Sequence, residues 1–420
     1  MHGRASPNHH PEILPMNARV PYRRLVGSVS WLVAIHVLLA YGLPEGLFIA
    51  LVLLLGILYW RVGVMGAVTV SLTLVLVTVL YGLSLKATGL EDSIYYRPDE
   101  KYGRFDYTNN HRIYQGNVRF EMAVAHGDLR ALTTEDIVEP HRIDFRTDAD
   151  GFRNDSNYHG QRFALVGDSF IAGNSNSHED LLVTQLARDH GLDTYSLAHR
   201  GNVADYAAYV RGFVKRHGEN IRVLLFLFEG NDFEESRGRK ASALARYGRR
   251  YYEMFSGLNT YRVTASLYKR FKYSRDISTG SQLEVADVGG KKMAFYRPYV
   301  EVTLRKQPPD PEGFEKAIEF LHPYLDRVYF IPTKYRVYFA KLKPGELLPN
   351  AQWEYLDGLC RKQQLHCTNL TEPLVRESDG LLKKGEFSWW RDDTHWNRHG
   401  IAVAARRVAA DLGVAKEKHR

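Results

Sequence analysis

Phe163-Ala164-Leu165-Val166-Gly167-Asp168-Ser169-Phe170 is a continuous apolar run that stops on a glycine, an acid and a hydroxyl. Four apolar residues without polar alternation suit a strand buried on both faces, and such strands belong to parallel sheets covered by helices. The flanking sequence agrees. His178 to His190 has helical spacing, Thr194-Tyr195-Ser196-Leu197 is again strand-like, and Val203 to Arg216 is helical. Ile221 to Phe228 (Ile-Arg-Val-Leu-Leu-Phe-Leu-Phe) is the strongest buried strand in the chain. Val328-Tyr329-Phe330-Ile331 and a closing helix from about Asn397 to Leu412 continue the alternation. The expected fold class is α/β, a mainly parallel sheet with helices on both faces in three layers. Sites in such sheets form beyond the carboxyl ends of the strands, so the informative residues are those where strands stop.

The first strand stops at Ser169, where a nucleophilic hydroxyl can be held at a helix N-terminus among backbone N–H groups. The next stops at Ala198-His199-Arg200-Gly201, and the third at Glu229-Gly230-Asn231-Asp232. Near the C-terminus, Asp392-Asp393-Thr394-His395-Trp396 sets a carboxylate three residues before an imidazole. This ordered set resembles the SGNH (GDSL-like) hydrolase superfamily in four blocks over roughly residues 150 to 412: Gly167-Asp168-Ser169, Gly201, Gly230-Asn231-Asp232, and Asp392 to His395. The upstream Asp148-Ala149-Asp150-Gly151-Phe152-Arg153-Asn154 resembles the lead-in of the extracytoplasmic, polysaccharide-modifying branch. His395-Trp396-Asn397 followed by Gly400 is similar to the alginate O-acetyltransferase-like group.

The resemblance implies that Ser169 attacks, His395 is its base and Asp392 orients the imidazole, with Asp393 the rival for that last role. A serine hydroxyl needs such a base, since it is a poor nucleophile until its proton is removed. The implied oxyanion donors are the N–H groups of Ser169 and Gly201 and the side-chain amide of Asn231. No G-x-S-x-G elbow occurs, which argues against an ordinary α/β-hydrolase. Trp396 is a candidate substrate contact. No cofactor is called for, and no metal either, because no second Cys/His pair stands at ligand spacing.

Outward from this domain, composition segregates sharply. The 420 residues carry Lys+Arg 56 against Asp+Glu 48, a net charge of +8, which is modest for so long a chain and falls short of a dedicated nucleic-acid binder. Between Leu25 and Leu85, however, the only charged side chains are Glu45 and Arg61. This block is expected to form three transmembrane helices over 25–43, 47–60 and 62–85, after a cytoplasmic tail at 1–24. Arg4, Arg19, Arg23 and Arg24 before the first span and Arg61 between the second and third assign those loops to the cytoplasm. Everything after Lys86 then lies outside, giving a multi-pass inner-membrane protein with a periplasmic or extracytoplasmic C-terminal domain. The second span is short, and a re-entrant course for it would reverse this topology.

Residues 86–158 read as an irregular β-rich collar and 159–412 as the catalytic domain, with an insertion at 233–325 and a tail at 413–420. Residues 233–275 hold eleven Lys/Arg against three Glu, with six Tyr interleaved, which suits an anionic glycan or a phospholipid surface. Arg246, Arg249, Arg250 and Tyr251 are its candidate substrate contacts; a solvated amphipathic helix fits the pattern equally. Val285 to Tyr296, centred on Gly289-Gly290, looks like a hairpin. Cys360 and Cys367 fit either a disulfide in an oxidising compartment or two free thiols.

The function expected is a membrane-anchored serine esterase acting on acyl, first of all acetyl, esters of a polysaccharide or other glycan. Two alternatives stay open: an O-acetyltransferase moving acyl groups onto the polymer, and a catalytically silent, membrane-anchored glycan-binding scaffold. The partners expected are the membrane, the glycan and, for the transferase, a membrane-bound acyl-donor protein, with no nucleic acid.

Overall fold

A glycine and a proline-free run of apolar residues decide the shape of the N-terminal block. The computed structural model describes residues 22–40, 45–88, 99, 102–106, 111–233, 279–307 and 312–414, which fall into two compact units. The described residues of the first form α1 (Tyr22–Ala40) and α2 (Glu45–Ala87). Within α2, Gly63 leaves the helix with φ 70° and ψ −170°, a conformation open to a residue without Cβ. It lies beside Trp60-Arg61, where the apolar pattern pauses. Contacts with α1 show the consequence. Gly27 lies against the ring of Tyr59, while the Ser71 hydroxyl donates to the Ser30 carbonyl at 2.7 Å. Residues 27 and 30 are about 4.5 Å apart along a helix, whereas 59 and 71 would be about 18 Å apart in an unbroken one. The axis therefore turns at Gly63. Among the described helices, Phe48–Ser84 is long and apolar enough to cross a membrane, and Val26–Leu38 is a shorter apolar helix.

The second unit begins with two antiparallel hairpins, β1 (Gly103–Asp106) with β2 (His111–Tyr114) and β3 (Arg119–Val124) with β4 (His141–Arg146). The chain then runs through β5 (Phe163–Val166), α3 (Leu182–His190), β6 (Thr194–Ser196), α4 (Val203–His217) and β7 (Arg222–Phe228). After the undescribed stretch come a hairpin of β8 (Leu283–Val288) and β9 (Lys291–Tyr296), then α5 (Arg297–Thr303), α6 (Glu312–Leu321) and β10 (Leu325–Ile331). It closes with α7 (Lys334–Leu342), α8 (Ala351–Gln363), β11 (Cys367–Asn369), α9 (Thr371–Leu382) and α10 (Arg398–Asp411). Gly289 and Gly290, with φ 62° and 80°, form the two-residue loop between the paired Val288 and Lys291, as a mirror-image turn requires.

Five strands form one parallel sheet in the order β11-β10-β7-β5-β6. Strand side chains alternate between faces, and the core divides accordingly. Leu165, Leu224, Phe226 and Tyr329 pack with Leu186, Tyr338, Leu374 and Ala404 from α3, α7, α9 and α10. Their neighbours Ala164, Val166, Leu225 and Phe330 pack on the other face with Phe213, Ile318 and Leu356 from α4, α6 and α8. Helix α6 lies within the stretch expected as an insertion, yet it covers the sheet. From β5 the chain steps to β6 on one side and then crosses to β7 on the other, which opens a crevice at the carboxyl ends of β5 and β7. At the far edge, a disulfide joins Cys360 in the last turn of α8 to Cys367 at the start of β11, with Cα atoms 6.2 Å apart.

Candidate active site

Beyond Val166 the backbone makes successive turns. The Phe170 N–H bonds the Asp168 carboxylate at 2.9 Å, and Ala172 and Asn174 donate to the carbonyls of Asp168 and Ser169. A regular helix is expected here, but Gly173 (φ 71°) and Ser175 (φ 62°) are left-handed and interrupt it. The carbonyls so released are gathered by Arg153, a buried guanidinium that donates to Gly173 at 2.7 Å, Asn176 at 3.1 Å and Ala172 at 3.3 Å. Burial pushes this arginine down to about 10. The lead-in around it is a brace. Asp148 accepts from Phe152 N–H, Asn154 Nδ2 and the Tyr195 hydroxyl, and Asn154 in turn bonds both backbone groups of Ser196 in β6.

Ser169, half-buried, sits with Oγ 2.8 Å from Nε2 of the buried His395. On the other side of the ring, Nδ1 lies 2.6 Å from Oδ1 of Asp393. The carboxylate that orients the imidazole is thus Asp393, which corrects the expectation for Asp392. The reason is local: two residues upstream, Asp393 also accepts the His395 backbone N–H at 2.9 Å, an Asx turn that brings one oxygen to both donors. Asp392 points the opposite way and accepts from the N–H groups of Gly127 at 2.8 Å and Glu139 at 2.9 Å. Burial holds its carboxyl above the usual range.

The N-terminal hairpins complete the site. The Asp128 N–H and the Ser175 hydroxyl donate to Oδ2 of Asp393 at 2.9 and 2.7 Å, so both its oxygens are held. The Asp128 carboxylate accepts from the N–H and the hydroxyl of Thr394. A Cβ on Gly127 would stand 2.4 Å from the Asp392 carbonyl oxygen, so glycine permits this approach. None of Gly127, Asp128, Ser175 or Arg153 is a site residue by motif; only the lead-in hinted at Arg153. Asp128, Asp393 and His395 also place three ligand-type atoms within 4.8 Å of one another, the trio among the described residues that could face a metal. The carboxylate oxygens of Asp128 and Asp393 each accept from an N–H or O–H group, and His395 Nδ1 lies against Asp393, so the trio reads as one hydrogen-bonded network.

Trp396 is fully buried, with its indole N–H donating to the Phe170 carbonyl at 3.2 Å and its ring edge-on to Phe170. It supports the loop of Ser169 and Phe170 from behind, and its burial corrects its expected role as a substrate contact. Gly201 precedes Asn202, the residue that caps α4, and Asn231 follows β7 in a turn whose Asp232 carboxylate accepts the Phe228 N–H. Because the strands are parallel, Gly201, Asn231 and Ser169 share one edge of the sheet. The Asn231 side chain bonds the Asp168 carboxylate, and Asn231 Oδ1 is buried there without a partner among the described residues. Arg246, Arg249, Arg250 and Tyr251 lie outside the described residues.

Burial pushes the Asp168 carboxyl up to about 6, against the opposing pull of the Phe170 N–H and His395. The folded chain therefore holds this proton more tightly than the unfolded chain, where the ordinary value is about 3.9. The resulting stabilisation is complete below about pH 4 and is lost as pH rises through 6. Asp168→Asn keeps the acceptor for Phe170 and cannot ionise, so it should raise Tm relative to wild type more at pH 8 than at pH 4.5. A pH-independent difference would refute the assignment.

No protein-family model matches the chain, and no curated protein or solved structure is similar to it.

Proposed function

We propose that this chain is a membrane-anchored, extracytoplasmic serine esterase of the SGNH type that removes acyl, first of all acetyl, groups from a polysaccharide or other glycan. The observation that carries the reading is the relay from Ser169 Oγ through His395 to Asp393, at the carboxyl edge of a parallel sheet. His395 Nε2 takes the Ser169 proton as Oγ attacks the ester carbonyl, and returns it to the departing sugar oxygen. Asp393 holds the tautomer that leaves Nε2 free and stabilises the imidazolium. The oxyanion is assigned to the N–H groups of Ser169 and Gly201 and the Asn231 amide. Water then attacks the acyl-serine, with His395 again the base. A sugar hydroxyl in place of that water makes the same site an O-acyltransferase.

The anchor is read as three crossings. Divided at Gly63, the apolar block has helical segments of about 28, 27 and 36 Å at 1.5 Å per residue, close to the ~30 Å of a hydrocarbon core. Trp60 and Met65, flanking the break, are 83% and 76% exposed, surfaces suited to lipid and its interface. The Cys360–Cys367 bridge suits an oxidising compartment outside the cytoplasm. The basic, tyrosine-bearing stretch around Arg246 to Tyr251 is the proposed contact for an anionic glycan.

Incubating the purified protein with acetyl esters and measuring its intact mass tests the reading. Trapped acetyl on Ser169 is the expected result, and free acetate against acetylated glycan as product separates hydrolysis from transfer. A Ser169 that takes up neither acetyl nor a fluorophosphonate would overturn it. In whole cells, a membrane-impermeant thiol reagent should label Cys367 after reduction; labelling only after permeabilisation would overturn the topology.

A further inference from the structure

One buried charge beside the relay has no part in the chemistry described so far. Strand β10 delivers the chain to Thr333, which caps α7 by accepting from the Arg336 N–H at 3.2 Å, and Lys334 is the first residue of that helix. The exit is fixed from below. Glu229 at the end of β7 accepts the Thr333 N–H at 2.9 Å and is paired with the buried Arg336. Lys334 is only 5% exposed. Its Nζ donates to the carbonyl oxygens of Asp393 at 2.8 Å, Trp390 at 3.1 Å and Arg391 at 3.3 Å. An ammonium has three donors, and this turn presents three carbonyls to it.

A cation is poorly placed at a buried helix N-terminus, where both desolvation and the helix dipole oppose it. An apolar side chain of similar length would be easier to bury, so the reason for a lysine lies in what it holds. The turn from Trp390 to His395 is closed by the isolated bridge between Trp389 and Trp396 and carries both Asp393 and His395. We propose that Lys334 is a positioning residue for the Asp393–His395 pair: its ammonium gathers the turn's carbonyls and so sets Oδ1 of Asp393 against Nδ1 of the imidazole. The inference rests on the esterase reading for its rate consequence, and on geometry alone for its effect on the imidazole.

The charges facing Lys334 are Asp392 and Asp393 of the turn itself, and Asp128 and Glu139 in the loop between β3 and β4. Burial still outweighs them, and the ammonium is pushed down to about 8. His395 is faced by Asp393 and by Asp168. Removing the ammonium should free the turn's three carbonyls and loosen the bond between Asp393 and the imidazole.

The test uses the full-length protein with Lys334→Met, which loses charge and donors, and Lys334→Arg, which keeps the charge in a planar fork. In Lys334→Met, kcat on a small neutral acetyl ester should fall roughly 100-fold, as for a reacting pair displaced by about 1 Å, with KM little changed. In Lys334→Arg, whose planar fork cannot meet all three carbonyls, kcat should fall as well, by less. The low-field proton resonance of His395 Nδ1–H reads the loosened Asp393 bond without any turnover, and should move upfield in Lys334→Met. A folded Lys334→Met protein with wild-type kcat, or with that resonance at its wild-type position, would overturn the proposal. If Lys334→Met does not fold, Lys334→Gln carries the same two readouts. A wild-type protein that neither turns over esters nor acylates Ser169 would defeat the esterase reading, and the Nδ1 proton resonance would still decide the role of Lys334.

Discussion

Ser169→Ala and His395→Ala should each lower ester turnover by roughly a millionfold, and the double variant should be hardly worse than either. The reason is that the hydroxyl and the imidazole act on one proton. Without the base, Ser169 is an ordinary alcohol; without the hydroxyl, His395 has no bound nucleophile to activate. Both substitutions remove side chains at the crevice and leave the sheet untouched, so far-UV circular dichroism and Tm should stay near wild type. Initial rates on an acetyl ester together with fluorophosphonate labelling make the check. Retention of more than a few per cent of activity in either variant, with the fold intact, would exclude the serine relay.

The second large effect separates two neighbouring acids. Asp393→Asn should cost about 10⁴-fold in kcat, because an amide facing Nδ1 leaves the imidazole in the wrong tautomer. Asp392→Asn should stay within about tenfold of wild type, by the same logic that a group remote from the reacting atoms contributes through packing. Its carboxyl is already held above the usual range by burial, so a neutral amide suits the site, and one oxygen remains for the Gly127 and Glu139 N–H groups. Steady-state kinetics of the two purified variants decide the matter. Comparable losses, or the larger loss at Asp392, would return the orienting role to that residue.

How much was legible in the sequence follows from distance along the chain. Phe163 to Val166 and Ile221 to Phe228 announce themselves because a strand buried on both faces has no polar alternation, and they became β5 and β7. Gly289-Gly290 marks its hairpin because two adjacent positive φ values leave few other choices. The choice between Asp392 and Asp393 was lost at the scale of one residue, since either spacing can bring a carboxylate near an imidazole and only the Asx turn selects Asp393. Asp128 and Lys334 carried no signal at all. Their roles exist only once β10 and the loop before β4 arrive at the same turn, and no local spacing encodes that meeting. Trp396 misled for a related reason: beside a catalytic histidine, an indole suits a substrate or a core equally until its N–H finds the Phe170 carbonyl.

The two backbone N–H groups of Gly127 and Asp128 bond Asp392 and Asp393 across 265 residues of sequence. Such contacts are among the last a chain can form, because the entropy of closing so long a loop must be met before the bond returns anything. During synthesis Ser169 emerges well before Asp393 and His395. On the proposed relay it would stay an ordinary alcohol through early collapse, and would gain reactivity only when the loop between β3 and β4 meets the turn that carries Asp393 and His395. Assembly itself would then act as the activation step of the proposed esterase.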